Sequence, residues 1–149
     1  MAEPADIPTI LSLIRELANF ERQPDAVILS ESEMERAIFG EQPWVFVYVA
    51  EIENKVVGMA LYYYGFSTWK GRSLHLEDLI VNENYRKLGI GKALMNQVIE
   101  VAKSEKVERM SWEVLDWNEP AIKFYKSLNT QFYKDWWLCR LFKEQLEKL

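Results

Sequence analysis

Two stretches of the sequence carry residues suited to chemistry. In Ser73-Leu74-His75-Leu76-Glu77-Asp78-Leu79-Ile80-Val81, two adjacent carboxylates and the one histidine of the chain interrupt an apolar run. Strand alternation sends Glu77 and Asp78 to opposite faces, so at least one of them is partly buried. Burial raises a carboxyl pKa, which suits a base that works near neutrality. A carboxylate pair at a strand end, held by backbone donors, has the same sequence. His75 shares a face with Glu77 by parity and reads as a structural residue. Shortly after, Arg86-Lys87-Leu88-Gly89-Ile90-Gly91-Lys92 sets two glycines and three cations at the entrance of a helical pattern. Free backbone N–H groups and the positive end of a helix dipole suit a phosphate there, and glycine lets a backbone approach a ligand closely. A flexible turn with a solvated cationic rim fits the same residues. Two familiar phosphate motifs do not fit. A dinucleotide fingerprint wants a third glycine where Leu94 stands, and a P-loop wants glycine at Arg86 and a hydroxyl residue at Ala93.

The surrounding pattern supplies elements to hold these stretches. Ile7, Ile10, Leu11, Ile14, Leu17 and Ala18 form one helical stripe that Asp6 can cap. Ser30 and Glu33 have capping-box spacing and open a short helix that ends near Gly40. Residues 44–52 and 55–64 read as a hairpin turning at Glu53-Asn54-Lys55, and 73–81 as a third strand. A helix from about Gly91 turns Leu94, Met95, Val98, Ile99 and Ala102 inward. Then follow a strand over 107–115, a helix over 119–128 and an aromatic-rich strand over 131–142. Hairpins first and helical crossovers after predict an α/β fold with a mixed, mostly antiparallel sheet and helices on both faces. No linker or repeat divides residues 1–149, so one domain is expected.

Composition excludes several classes. The 149 residues carry a net charge of −5, which argues against nucleic-acid binding. No apolar run is long enough to span a bilayer, and no secretory signal pattern stands at the N-terminus. One cysteine, Cys139, cannot pair internally and is expected to pack as a small apolar residue in the last strand. One histidine and one cysteine make a metal site improbable, so no metal is expected. A cytoplasmic protein fits these facts.

Taken together, Glu77-Asp78-Leu79-Ile80-Val81, the Arg86…Gly89-Ile90-Gly91 loop and Asn118…Tyr125 resemble the Gcn5-related N-acetyltransferase superfamily over nearly the whole chain. Leu13-Ile14-Arg15-Glu16-Leu17-Ala18, Leu76-Glu77-Asp78 and Trp117-Asn118-Glu119-Pro120 with Phe124-Tyr125-Lys126 resemble its diamine acetyltransferase group. Ser67-Thr68-Trp69-Lys70-Gly71-Arg72 is closer to the thialysine-acetylating branch than to the spermidine/spermine one, whose members carry acidic groups at the positions of Ser67 and Trp137. The resemblance implies acetyl-CoA as co-substrate and direct transfer to a primary amine of a small molecule, a diamine, polyamine or thialysine-like amino acid. A protein acceptor, or an acyl-CoA-binding module without turnover, are the rival readings.

By the same resemblance, Glu77 is the base and helps hold the substrate, and Tyr125 is the general acid. Arg86, Lys87, Leu88, Gly89, Ile90, Gly91 and Lys92 hold the pyrophosphate. The backbone of Leu79, Ile80 and Val81, with Asn118, binds the pantetheine arm; Asn118 also reads as a helix N-cap. Glu21 and Trp69 are substrate-binding candidates. Family chains begin with an edge strand, which here is expected to be missing or very short. The family also implies a homodimer, and the late aromatics Phe132, Trp136 and Trp137 read as core or subunit-interface residues in preference to a base-stacking platform.

Overall fold

Helix α1 (Ile7–Phe20) forms on the expected stripe and buries Ile7, Ile10, Leu11, Leu13 and Ala18. Asp6 does not cap it. In the computed structural model, which describes all residues from Met1 to Leu149, the Asp6 carboxylate accepts instead from the Glu3 amide at 2.8 Å and closes the preceding 3-10 turn. Helix α2 (Glu31–Phe39) starts at a reciprocal capping box. Ser30 Oγ accepts from the Glu33 amide at 3.3 Å, and the Ser30 amide donates to Glu33 Oε2 at 2.9 Å.

Strands β1 (Phe46–Ile52) and β2 (Lys55–Ser67) form a hairpin in which Ile52 pairs with Lys55. Its two turn residues, Glu53 and Asn54, have φ of 51° and 61°, the twist-matched geometry that a two-residue hairpin requires. Strand β3 (Gly71–Val81) runs antiparallel to β2. Helix α3 (Ile90–Ser104) crosses back to β4 (Arg109–Ser111), which pairs parallel with β3 at Ser73–His75 only. The sheet order is β1-β2-β3-β4. The expected strand over 107–115 is thus reduced to three residues.

One face of the sheet gives Val47, Met59, Leu61 and Ile80 to a core shared with α1 and α2. Each such side chain contributes about 1.5–3 kcal/mol by leaving water. Gly58 alternates with Met59 and points the other way. A Cβ there would stand 3.4 Å from Leu94 Cδ1 and 2.9 Å from the Ile80 carbonyl oxygen. Helix α3 therefore packs on the opposite face, burying Leu94, Met95, Val98 and Ala102. The expected mixed sheet with helices on both faces is the fold observed. Before α1, the Ala2 amide donates to the Val47 carbonyl at 2.8 Å, so the expected edge strand is reduced to a single bridge.

Residues Met1–Glu113 make one compact unit and Val114–Leu149 another. The second unit holds α4 (Glu119–Ser127) and a four-residue helix, α5 (Lys143–Leu146). After α4, Asn129 takes φ 59°, the left-handed conformation expected of a helix-ending Asn. The strand expected over 131–142 does not form. β-forming side chains make a strand only where a neighbouring edge takes up their backbone groups. Trp136 and Trp137 are 70% and 90% exposed, so they are not core residues, and Cys139 is exposed and not packed.

Candidate active site

The register of β3 against β2 sets the geometry of the carboxylates. Leu61 pairs with Asp78 and Tyr62 with Leu76, so Glu77 is an extra residue in β3, a β-bulge. The bulge overrides alternation. Asp78 pairs with Leu61 and His75 with Tyr63, so both lie on the face turned toward α1. Glu77 Oε2 stands 3.6 Å from His75 Nε2 on that face, and His75 Nδ1 is 3.3 Å from Ser111 Oγ. Glu77 and Asp78 therefore do not point to opposite faces as simple parity predicts.

This cluster shifts protonation equilibria. Asp78 is pushed up from 3.8 to about 6, chiefly by burial and then by the charges of Glu77 and Glu21. The Tyr63 phenol is raised by burial, by Glu77 and by Glu113, and its ring lies 5.1 Å from that of His75. Glu21 ends α1 and faces the pair electrostatically. Its placement follows from the length of α1, which carries the chain from the core to this end of the sheet. The result is a patch of negative potential that favours a cationic group. Trp69 is not part of it. It sits at the turn between β2 and β3, 83% exposed, beyond Gly71, which is itself six strand residues from Glu77. Six residues at about 3.3 Å each put roughly 20 Å between Gly71 and Glu77.

Beyond His75, β3 has no strand partner on its β4 side, because pairing with β4 stops there. Leu79, Ile80 and Val81 therefore lie on a strand edge to which an extended ligand can add by main-chain hydrogen bonds. The edge leads to the loop before α3. Gly89, the residue preceding α3, has φ 82°, and a Cβ on it would meet nothing within 4 Å. Helical bonding begins with the Ala93 amide and the Gly89 carbonyl at 3.0 Å. The amides of Ile90, Gly91 and Lys92 stand ahead of it with no helical partner, at the positive end of a 15-residue dipole. Lys87 adopts φ 66°, and both Lys87 and Lys92 are exposed. Leu88, 65% exposed, packs little. These residues fit a diphosphate. Arg86 differs from the two lysines: its Nε donates to the Val81 carbonyl at 3.0 Å and its Nη2 lies 3.5 Å from Glu16 Oε1.

The chain matches the Acetyltransferase (GNAT) family model over residues 11–129. It belongs to the GNAT acetyltransferase family. Members of this family use acetyl-CoA as co-substrate, and this GNAT chain is an N-acetyltransferase. It is 42% identical to a thialysine N-epsilon-acetyltransferase of Bos taurus over 138 residues, 87% of this chain and 81% of the relative. An L-ornithine N5-acetyltransferase of Arabidopsis thaliana is 28% identical over 195 residues, 100% of this chain and 86% of the relative. Among solved structures, an integron cassette protein from the mobile metagenome of V. cholerae superposes with a TM-score of 0.78 at 26% identity, over 99% of this chain and 93% of its own.

Asn118 and Tyr125 lie in the second unit. Asn118 caps α4, its Oδ1 accepting from the Ala121 amide at 3.3 Å. Tyr125, on α4, is buried, and burial pushes its phenol up to about 12. It therefore keeps its proton at any working pH. No group of three or more His, Cys, Asp or Glu is placed to hold a metal ion, and no helix is long and apolar enough to cross a membrane. Sequence reasoning missed Tyr63 and Glu16. Tyr63 is visible only once the register places it across from His75. Glu16 was legible only as a member of the family-like stretch 13–18, since its partners lie 66 and 67 residues away.

Proposed function

We propose that this GNAT chain passes the acetyl group of acetyl-CoA directly to a primary amine of a small molecule that carries a further charged or polar group, in the manner of thialysine or ornithine. The carrying observation is the bulge in β3. It gathers Glu77, Asp78 and His75 on one face of a strand whose edge has no partner and leads to the amide-lined mouth of α3. An alkylammonium ion has a pKa near 10, so it cannot attack until it loses a proton. Glu77 takes that proton, directly or through water, while Asp78 and Glu21 hold the cation nearby. The free nitrogen attacks the thioester carbon. A C–N bond forms, the C–S bond breaks, and the electron pair leaves on sulfur. Tyr125 donates its proton to that sulfur, the nitrogen gives up its second proton to water, which restores the Tyr125 phenol, and the Glu77 proton passes to solvent.

The donor lies along β3 from Leu79 to Val81 with Asn118 on its pantetheine arm, and its diphosphate rests on the amides and cations from Lys87 to Lys92. The relatives' named substrates, both amino acids with a side-chain amine, support a small acceptor over a protein one. We further infer a homodimer in the cytoplasm. Supporting the dimer is the run of exposed apolar side chains at Tyr133, Trp136, Trp137, Leu138, Leu141 and Phe142, which is more than a lone chain normally leaves in water. Supporting the compartment is a single cysteine, which forms no internal disulfide.

The test is a thiol-release assay with acetyl-CoA against diamines, polyamines, thialysine, lysine, ornithine and a protein acceptor. We expect turnover with one or more of the free amines, and Glu77→Gln and Tyr125→Phe each lowering kcat by about 10²-fold or more. Full kcat in both variants refutes the mechanism. Saturable coenzyme A binding without release from any amine makes the chain a binding module.

A further inference from the structure

The loop between β3 and α3 has one partly buried large side chain, Tyr85, which lines a pocket with Leu13, Val56 and Val57. Leu88 is mostly exposed, and a Cβ built on Gly89 would meet nothing within 4 Å. A carboxylate from another element also ties its start. Glu16 sits on α1, which is bolted to the core by fully buried Ile10 and Leu11. Its Oε2 accepts from Asn82 Nδ2 at 2.8 Å and its Oε1 from the Glu83 amide at 2.9 Å. The same Oε1 lies 3.5 Å from Arg86 Nη2, and Arg86 Cζ sits 5.7 Å from the centre of the Phe20 ring, also on α1. Arg86 then closes the turn through Nε to the Val81 carbonyl. Asn82 adds two more ties: its amide donates to the Val57 carbonyl at 2.8 Å, and its Oδ1 accepts from the Asn84 amide at 3.2 Å. The Glu16 side chain is 27% exposed, so its bonds are partly shielded from water.

We propose that Glu16 is a positioning residue for donor binding. Its carboxylate clasps Asn82, Glu83 and Arg86 to α1, so the amides at the mouth of α3 are set before the diphosphate arrives, and Arg86 serves this clasp and does not hold the phosphates. The inference rests on the reading of that mouth as the diphosphate site. Its physical basis is preorganisation: a loop already ordered spends less conformational entropy on binding. A rigid helix is the right support for such a device. The guanidinium donates one N–H to a carbonyl and faces a carboxylate and a ring, so the proposal gives the phosphate charge to Lys87, Lys92 and the helix end.

The clasp is tested with two donors, acetyl-CoA and S-acetylpantetheine, which keeps the thioester and lacks the diphosphate. For Glu16→Ala we expect the acetyl-CoA KM to rise about tenfold or more with kcat within about threefold, while kcat/KM for S-acetylpantetheine stays within about twofold. Glu16→Gln keeps one carbonyl oxygen for the Glu83 amide and is expected to fall between, with about a threefold rise in KM. Adding Arg86→Ala to Glu16→Ala should cost less than about twofold further, because both act through one network. An unchanged acetyl-CoA KM, an equal loss on both donors, or single effects that multiply would each overturn the clasp. Should Glu16→Ala fail to fold, Glu16→Gln decides by the same donor comparison. If the unaltered protein uses acetyl-CoA no better than S-acetylpantetheine, the diphosphate reading fails and not the clasp alone.

Discussion

Replacing Asp78 with Asn removes a charge that the fold holds at a cost. The carboxyl is buried beside Glu77 and within the field of Glu21, which lifts its pKa from 3.8 to about 6. The native state therefore binds this proton more tightly than the unfolded chain does. Between the two values the folded form carries more protons, so stability falls as pH rises. The contribution is intact below pH about 4 and lost above pH about 6. A shift of about two units at 1.36 kcal/mol each corresponds to about 3 kcal/mol. At pH 7.5 Asp78→Asn should gain up to that amount, or roughly 6–12 °C in melting temperature for a chain of this size. At pH 4 it should gain almost nothing. Paired thermal scans of the two proteins across pH 4–8 measure the difference, and carboxyl carbon NMR should give an Asp78 midpoint near 6. A gain equal at both ends of the range, or no gain at pH 7.5, would refute the placement of Asp78 in a buried field of like charges. The same variant should raise the KM for a cationic acceptor, since the cluster loses an acid.

Three further outcomes follow from features already described. Gly89→Ala puts a side chain on φ 82°; it should cost about 1–2 kcal/mol and weaken coenzyme A binding in a calorimetric titration, with Gly89→Asn milder on both counts. Ser30→Ala removes the hydroxyl that accepts from the Glu33 amide and should lower stability by about 1 kcal/mol in urea unfolding without altering turnover. Tyr125→Phe should lower kcat about 10²-fold while the acetyl-CoA KM stays within about threefold, and its phenol absorbance in the unaltered protein should not titrate below pH 10.

Features written in neighbouring residues were legible in the sequence. The Ser30–Glu33 box, the Glu53-Asn54 hairpin, the inward face of α3 and the capping Asn118 each depend on spacings of a few positions. Features that depend on what lies across a strand were not. The bulge at Glu77 exists only in the register of β3 against β2, so parity alone assigned its two carboxylates to opposite faces. The 131–142 stretch has the composition of a strand, but composition supplies no edge to pair with. Asp6 went to its own N-terminal turn because Glu3 offered a donor three residues away. Glu16 carries an ordinary helical charge until Asn82, Glu83 and Arg86 are brought to it from the far end of the sheet.

The three-residue pairing of β3 with β4 has one more consequence. A strand edge kept without a neighbour is also a template on which any loose peptide, including another copy of the same chain, can dock. Proteins discourage this with bulges and with charges set near the edge. Glu77 and Asp78 supply both, since the extra residue twists the strand and the two acids stand beside it. The two acids of the proposed site thus stand beside an open edge, and variants that neutralise them should be watched for aggregation through that edge as closely as for lost turnover.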